Sequence, residues 1–212
     1  MINPVKKIKL MVTDDHRLFR TGVANALGKY SDIEVIGEAE NGKELLDKLE
    51  YLSPDVMTLG IQMPVMNGLE ALPIIRKRFP AIKVVILSFL NDPSVITKMM
   101  ETGAHSYVTK ESGVDDIYKA VVNCYDQDFY INKTVRDALL RHYYKNNDKP
   151  HSANELKILS LLAEHKSGNE IAEATGLSLR TVKVIIEKMM NDARAYSIEK
   201  LIAHARKEKL IN

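Results

Sequence analysis

The chain has 212 residues, of which 45% are apolar and 27% charged, with a formal net charge of +2. This is the composition of a water-soluble globular protein, and domains commonly run to about 100–150 residues, so two modest domains are expected. No apolar run reaches the roughly 18 residues of a membrane span, the opening MINPVKKIKL leads into a strand pattern instead of a signal-peptide core, and a single cysteine, Cys124, excludes an internal disulfide; the expectation is a cytoplasmic protein with no membrane partner.

Strand and helix patterns alternate through residues 1–130. Strands are predicted near 8–13, 33–38, 55–59, 83–88 and 106–109, and helices near 16–29, 41–52, 68–78, 93–102 and 113–126. Strict alternation predicts an α/β domain of the flavodoxin-like, doubly wound type, a five-stranded parallel sheet with helices on both faces. Local punctuation agrees with these boundaries: Asn41-Gly42 opens the second helix, Pro80 stops the third, Asp92-Pro93 starts the fourth and Gly103 follows its last turn.

The residues that carry chemistry fall at the ends of those strands. Asp14-Asp15 follow the run IKLMVT, Gly60 ends the third strand, Ser88 ends VVIL, and Lys110 follows YVT. In an open parallel sheet the C-terminal strand ends line one crevice, where ligands bind. The spacing therefore gathers these residues in one place.

This constellation resembles the receiver domain of two-component response regulators. The resemblance implies that Asp14 and Asp15 match the acidic pair that holds Mg²⁺, Ser88 the switch hydroxyl, Tyr107 the switch aromatic and Lys110 the paired lysine. Gly60 matches the aspartate that accepts the phosphoryl group, and glycine has no side chain to phosphorylate. An acyl phosphate needs a carboxylate nucleophile placed for in-line attack, with a metal and a cation to neutralise the transferring charge. With one carboxylate fewer, Mg²⁺ binding is expected to be weak. Lys110 is expected to lean toward Asp14 or Asp15, which leaves neither charge stranded. An enzyme built on Asp14, Asp15 and a metal would lack a nucleophile and a substrate pocket, so no enzymatic activity is expected.

After residue 130 the pattern changes. Residues 131–150 hold a helix-like stretch from Thr134 to Tyr144 and then a polar run, Lys145 to Pro150, expected to be a flexible linker. From Ser152 onward four helical segments are predicted, near 152–164, 168–174, 179–192 and 198–208. Within SGNEIAEATGLSLRTVKVIIEKM, Ile171 and Ala172 face inward, Gly176 makes the turn, Ser178 caps the next helix, and Val182, Ile186 and Met189 form its buried stripe. That is the anatomy of a helix-turn-helix, and a three-helix packing unit without DNA has the same anatomy.

ELKILSLLAE, EIAEATGLS and TVK, placed behind a receiver-like half, resemble the C-terminal effector domain of the LuxR family, the NarL and FixJ type of regulator. The resemblance implies double-stranded DNA as a partner, with Arg180, Thr181, Lys183, Val184, Glu187 and Lys188 as the contacting residues. Helical spacing places Lys183, Val184 and Glu187 opposite the buried stripe. Ile185 stands where the family usually has a histidine, and Glu187 and Asp192 where it often has basic residues. Acids there oppose phosphate attraction, although Glu187 can accept a hydrogen bond from a cytosine amino group.

Charge is spread unevenly, with a net of −3 over residues 1–130, +3 over 131–150 and +2 over 151–212. So mild a positive charge predicts poor DNA binding by a monomer and a homodimer on a two-fold site. The apolar stripe Ile198, Leu201, Ile202, Ala205 is a candidate subunit contact unless the domain's own packing consumes it. A sensor histidine kinase or another protein is the expected partner of the first half. A protein-interaction module that never binds DNA is the competing expectation.

Overall fold

A computed structural model describes residues 6–145 and 152–212. Five strands, β1 (Ile8–Thr13), β2 (Ile33–Ala39), β3 (Val56–Gly60), β4 (Lys83–Ser88) and β5 (Ser106–Thr109), pair in the order β2-β1-β3-β4-β5, all parallel. They alternate with α1 (Arg17–Leu27), α2 (Gly42–Lys48), α3 (Gly68–Arg78), α4 (Pro93–Thr102) and α5 (Val114–Gln127). Then follow α6 (Lys133–Lys145), α7 (Ala153–Ala163), α8 (Gly168–Thr175), α9 (Leu179–Asp192) and α10 (Ile198–Lys207). The chain divides into two compact units at Val135/Arg136, inside the first turn of α6.

In the first unit, β1, β3 and β4 are largely apolar and buried because both faces of a parallel sheet are covered. On one face Leu10, Val12, Val56, Val85 and Leu87 pack with Leu27 of α1 and Ile117, Val121 and Cys124 of α5. Cys124 is fully buried, a small apolar filler. The register brings the strand ends level: Thr13 lies beside Leu59, Gly60 beside Leu87 and Ser88 beside Thr109. One edge of the sheet therefore carries Asp14, Gly60, Ser88 and Lys110 together.

Caps set the helix lengths. Asn41 and Asn67 accept hydrogen bonds from the backbone N–H groups of Glu44 and Glu70, and Asp92 caps α4 with Pro93 in its first turn. Helices α1 and α2 are shorter than the spans 16–29 and 41–52 read from the sequence, because Gly28 and Leu49 cap them and turns follow.

In the second unit, Ile158, Leu159, Leu162, Ile171, Val182, Ile185, Met189, Leu201, Ile202 and Ala205 form one core, joined by Tyr143 of α6. Ser152 and Ser167 make reciprocal capping boxes with Glu155 and Glu170. Gly176 takes the left-handed conformation, φ 70°, that closes α8, and Ser178 caps α9. Ile186 is only half-buried at the margin of this core, and Ile185 is its fully buried counterpart on α9. The α10 stripe is consumed by the same core apart from Ile198, which is exposed. The linker expected at Lys145–Pro150 lies outside the described residues beyond Lys145.

Candidate functional site

The crevice at the strand ends is organised around one ion pair. The Lys110 ammonium lies 2.6 Å from Asp14 Oδ2, with side chains 6% and 1% exposed. At this distance the pair is a close, charge-assisted contact. Of the two acids within reach, Lys110 takes Asp14. The ammonium also lies 4.7 Å from the centre of the Phe19 ring and 5.3 Å from that of Phe89, so aromatic faces replace part of the water it has lost.

The rest of Asp14 is also engaged. Its Oδ1 accepts from the His16 backbone N–H at 3.0 Å, and its carbonyl accepts from Arg20 Nη1 at 2.5 Å. Asp15 is half-buried, and its Oδ1 is 2.9 Å from His16 Nδ1. Ligand atoms of Asp14, Asp15 and His16 all lie within 4.8 Å of one another, a donor set suited to a hard cation, although both acids already have partners.

Gly60 ends β3 beside this pair. A Cβ built there would stand 3.2 Å from Asp14 Oδ2 and 3.2 Å from Met63 Sδ, so the thioether fills the space a side chain would enter. Gly68, at the start of α3, closes the loop from below. A Cβ there would come within 2.2 Å of the Gly60 carbonyl oxygen, a contact that only glycine tolerates.

Ser88 and Tyr107 grip the following loop. Ser88 Oγ accepts from the Leu90 N–H at 3.1 Å, and the Tyr107 hydroxyl donates to the Leu90 carbonyl at 2.6 Å. Tyr107 is fully buried, and burial pushes its hydroxyl above the usual tyrosine range. Both switch candidates thus hold one backbone residue.

The second cluster lies on α9. At 100° per residue, Arg180, Lys183, Val184, Glu187 and Asn191 share the arc opposite the core stripe. Lys183, Glu187 and Asn191 are exposed. Two placements correct the expected contact set. Val184 is only 1% exposed, although its angle places it on the outer arc. Thr181 is 9% exposed, with its hydroxyl and backbone N–H both bonded to Ser178, which makes it part of the cap.

Glu187 has a partner that sequence reasoning missed. Arg136 Nη1 donates to its Oε1 at 2.6 Å. Lys188 pairs with Asp192 at 2.5 Å and holds its ammonium 5.0 Å from the centre of the Tyr144 ring. Phe19, Phe89, Met63, His16 and Arg20 were likewise missed in the crevice. Phe89 and His16 adjoin residues already singled out, a signal that adjacency could have supplied; the others have no such signal.

Comparison with known proteins identifies both units. Residues 10–122 match the response regulator receiver domain, and residues 150–205 match the bacterial regulatory proteins of the luxR family. This chain is a response regulator of the LuxR family. It is 31% identical to the transcriptional regulatory protein DegU of Brevibacillus brevis over 92% of this chain and 93% of that protein. It is 29% identical to the response regulator protein VraR of Staphylococcus saprophyticus, over 96% of this chain and 99% of that one. Among solved structures, the response regulator ChrA of a heme-sensing two-component system matches with TM-score 0.54 and 26% identity, over 97% of this chain and 99% of that one. The five-stranded parallel sheet is the family's flavodoxin-like receiver, and the helical unit is its effector domain. Among the described residues, no helix of this regulator is long and apolar enough to cross a membrane.

Proposed function

We propose that this regulator is a cytoplasmic, non-enzymatic, DNA-binding transcription factor whose receiver does not switch by aspartyl phosphate. The observation that carries the reading is Gly60 at the end of β3, with the neighbouring Lys110 already neutralised by Asp14. The receiver occupies residues 1–130, the linker 131–150 and the DNA-binding domain 151–212. No carboxylate stands where a phosphoryl group would be taken, and no cation is left waiting for one. Mg²⁺ binds weakly at Asp14 and Asp15, because it must displace Lys110 from a buried contact.

Activity is then set by dimerisation or by a protein partner, a sensor histidine kinase or another, that recognises the shape and charge of the receiver. On DNA the protein is a homodimer, which doubles the phosphate contacts of a mildly basic domain. Lys183 and Arg180 supply the main attraction on α9, with Lys188 at the flank.

The test is a gel shift on promoter DNA with and without a phosphodonor. Affinity is expected to be the same in both, and a phosphate-dependent change contradicts the reading. Lys183→Ala is expected to weaken binding and to lower the slope of log K against log salt by about one. The acids Glu187 and Asp192 on α9 favour a second reading, a protein-interaction module that does not bind DNA. Binding of random duplex at low salt separates the two.

A further inference from the structure

One direction on α9 points straight away from the core of its unit. Val182, Ile185 and Met189 set the buried side. At about 100° per residue, the line opposite them runs between Glu187 and Asn191, each within roughly 30° of it, while Lys183 and Val184 lie about 50° to either side. Asn191 is exposed and stands one turn beyond Glu187, about 6 Å farther along the axis.

The Asn191 side chain has no task in the fold. Its backbone carbonyl accepts from the Arg194 N–H at 3.1 Å as the helix closes, but among the described residues its carboxamide makes no hydrogen bond and joins no core cluster. Asparagine is a mediocre helix former, because its amide competes for the backbone. Helix stability therefore does not explain its presence, whereas Glu187, on the same line, already holds Arg136.

A carboxamide carries a donor and an acceptor side by side in one plane. In the major groove adenine offers the matching pair, the N6 amino group and the N7 acceptor, and asparagine meets both at once. Guanine presents two acceptors there and cytosine a donor. A lysine answers guanine and a carboxylate answers cytosine, so neither Lys183 nor Glu187 can take this role.

We propose that Asn191 is a specificity-determining residue, whose carboxamide pairs with the N6 and N7 edge of an adenine in the DNA site, beyond the base pairs within reach of Lys183 and Glu187. The inference rests on α9 being the DNA-reading helix. From Lys183 to Asn191 the helix advances about 12 Å, roughly three to four base-pair steps of about 3.4 Å, so the contact lengthens the stretch of sequence that α9 reads. Because the amide is neutral, it adds selectivity without adding phosphate attraction, which separates its effect from that of Lys183.

The test is selection by the full chain, at low salt, from a library of short duplexes with a randomised centre, followed by sequencing of the bound fraction. The parent is expected to enrich an A·T pair at one fixed position of its site. Asn191→Ala is expected to lose that preference, a change of about five- to hundredfold between adenine and the other bases at that position. It is expected to keep the parent's selectivity elsewhere in the site and its slope of log K against log salt. Asn191→Gln, which retains the amide, is expected to recover part of the adenine preference. Identical selections by the parent and Asn191→Ala overturn the inference, as does a parent that binds the library without preferring any base, and both results leave the DNA-binding reading intact. Equal weakening of Asn191→Ala on every sequence also overturns it, since the residue then acts on attraction or folding. If the parent binds no duplex, the DNA-binding reading falls and the inference falls with it.

Discussion

The receiver crevice and the outer arc of α9 are each organised by one ion pair, and the two pairs sit in opposite surroundings. Lys110–Asp14 is almost completely shielded from water, between aromatic rings, whereas the Arg136 and Glu187 side chains are 34% and 49% exposed, with Arg136 Nε itself buried. Desolvated charges that have found each other cannot be parted without stranding one of them. Exposed charges exchange partners readily, because water and salt stand in for either. The Lys110–Asp14 pair is thus built to hold one arrangement, and the Arg136–Glu187 pair is the easier of the two to open.

The sharpest way to break this contrast is to remove Lys110. Lys110→Ala leaves the Asp14 carboxylate buried without its cation, and the expected cost is about 3–5 kcal/mol in urea unfolding of the first unit. An unfolding midpoint that does not move would show that the pair is not a structural commitment. Next in size is Gly60→Asp. The new carboxylate would stand beside Asp14, displace the Met63 thioether and give Lys110 a second acid, so Mg²⁺ affinity is expected to rise roughly tenfold, about 1.4 kcal/mol, by calorimetric titration. Unchanged metal affinity would mean that the missing acid is not what weakens the site.

The smallest effect probes the exposed extreme of the comparison. The Ser167 backbone N–H and hydroxyl, with Lys166, hold the Glu170 carboxyl down to about 2, from an ordinary value of 4.5. A depressed carboxylate contributes stability that is fully present above 4.5 and is lost as pH falls through about 2. The second unit of the parent is therefore expected to lose thermal stability over that window, and Glu170→Gln to lack this part of the acid dependence. Identical acid profiles would remove the capping box from the account.

Much of the first unit was legible because its signals are local. Buried parallel strands are largely apolar runs, and Asn41, Asn67, Asp92 and Gly103 mark helix ends by chemistry that acts within a few residues. The place of Gly60 at the end of β3 was legible for the same reason. The surroundings of Lys110 were less so, since Phe19 and Phe89 meet it only once α1 and the loop after β4 are folded over the sheet. On α9, spacing gave the angle of Val184 correctly but not what stands opposite it. Helical periodicity describes one helix and is silent about its neighbours. The Arg136–Glu187 pair spans 51 residues and two helices, and no local pattern encodes it.

The central claim is that the first unit stores no covalent signal, and its most direct test is mass spectrometry of the intact chain after incubation with acetyl phosphate and Mg²⁺. The account predicts an unmodified mass, with the Gly60→Asp variant run beside it as the form that has regained a carboxylate. A hydroxylamine-labile acyl phosphate on the unaltered chain would contradict it.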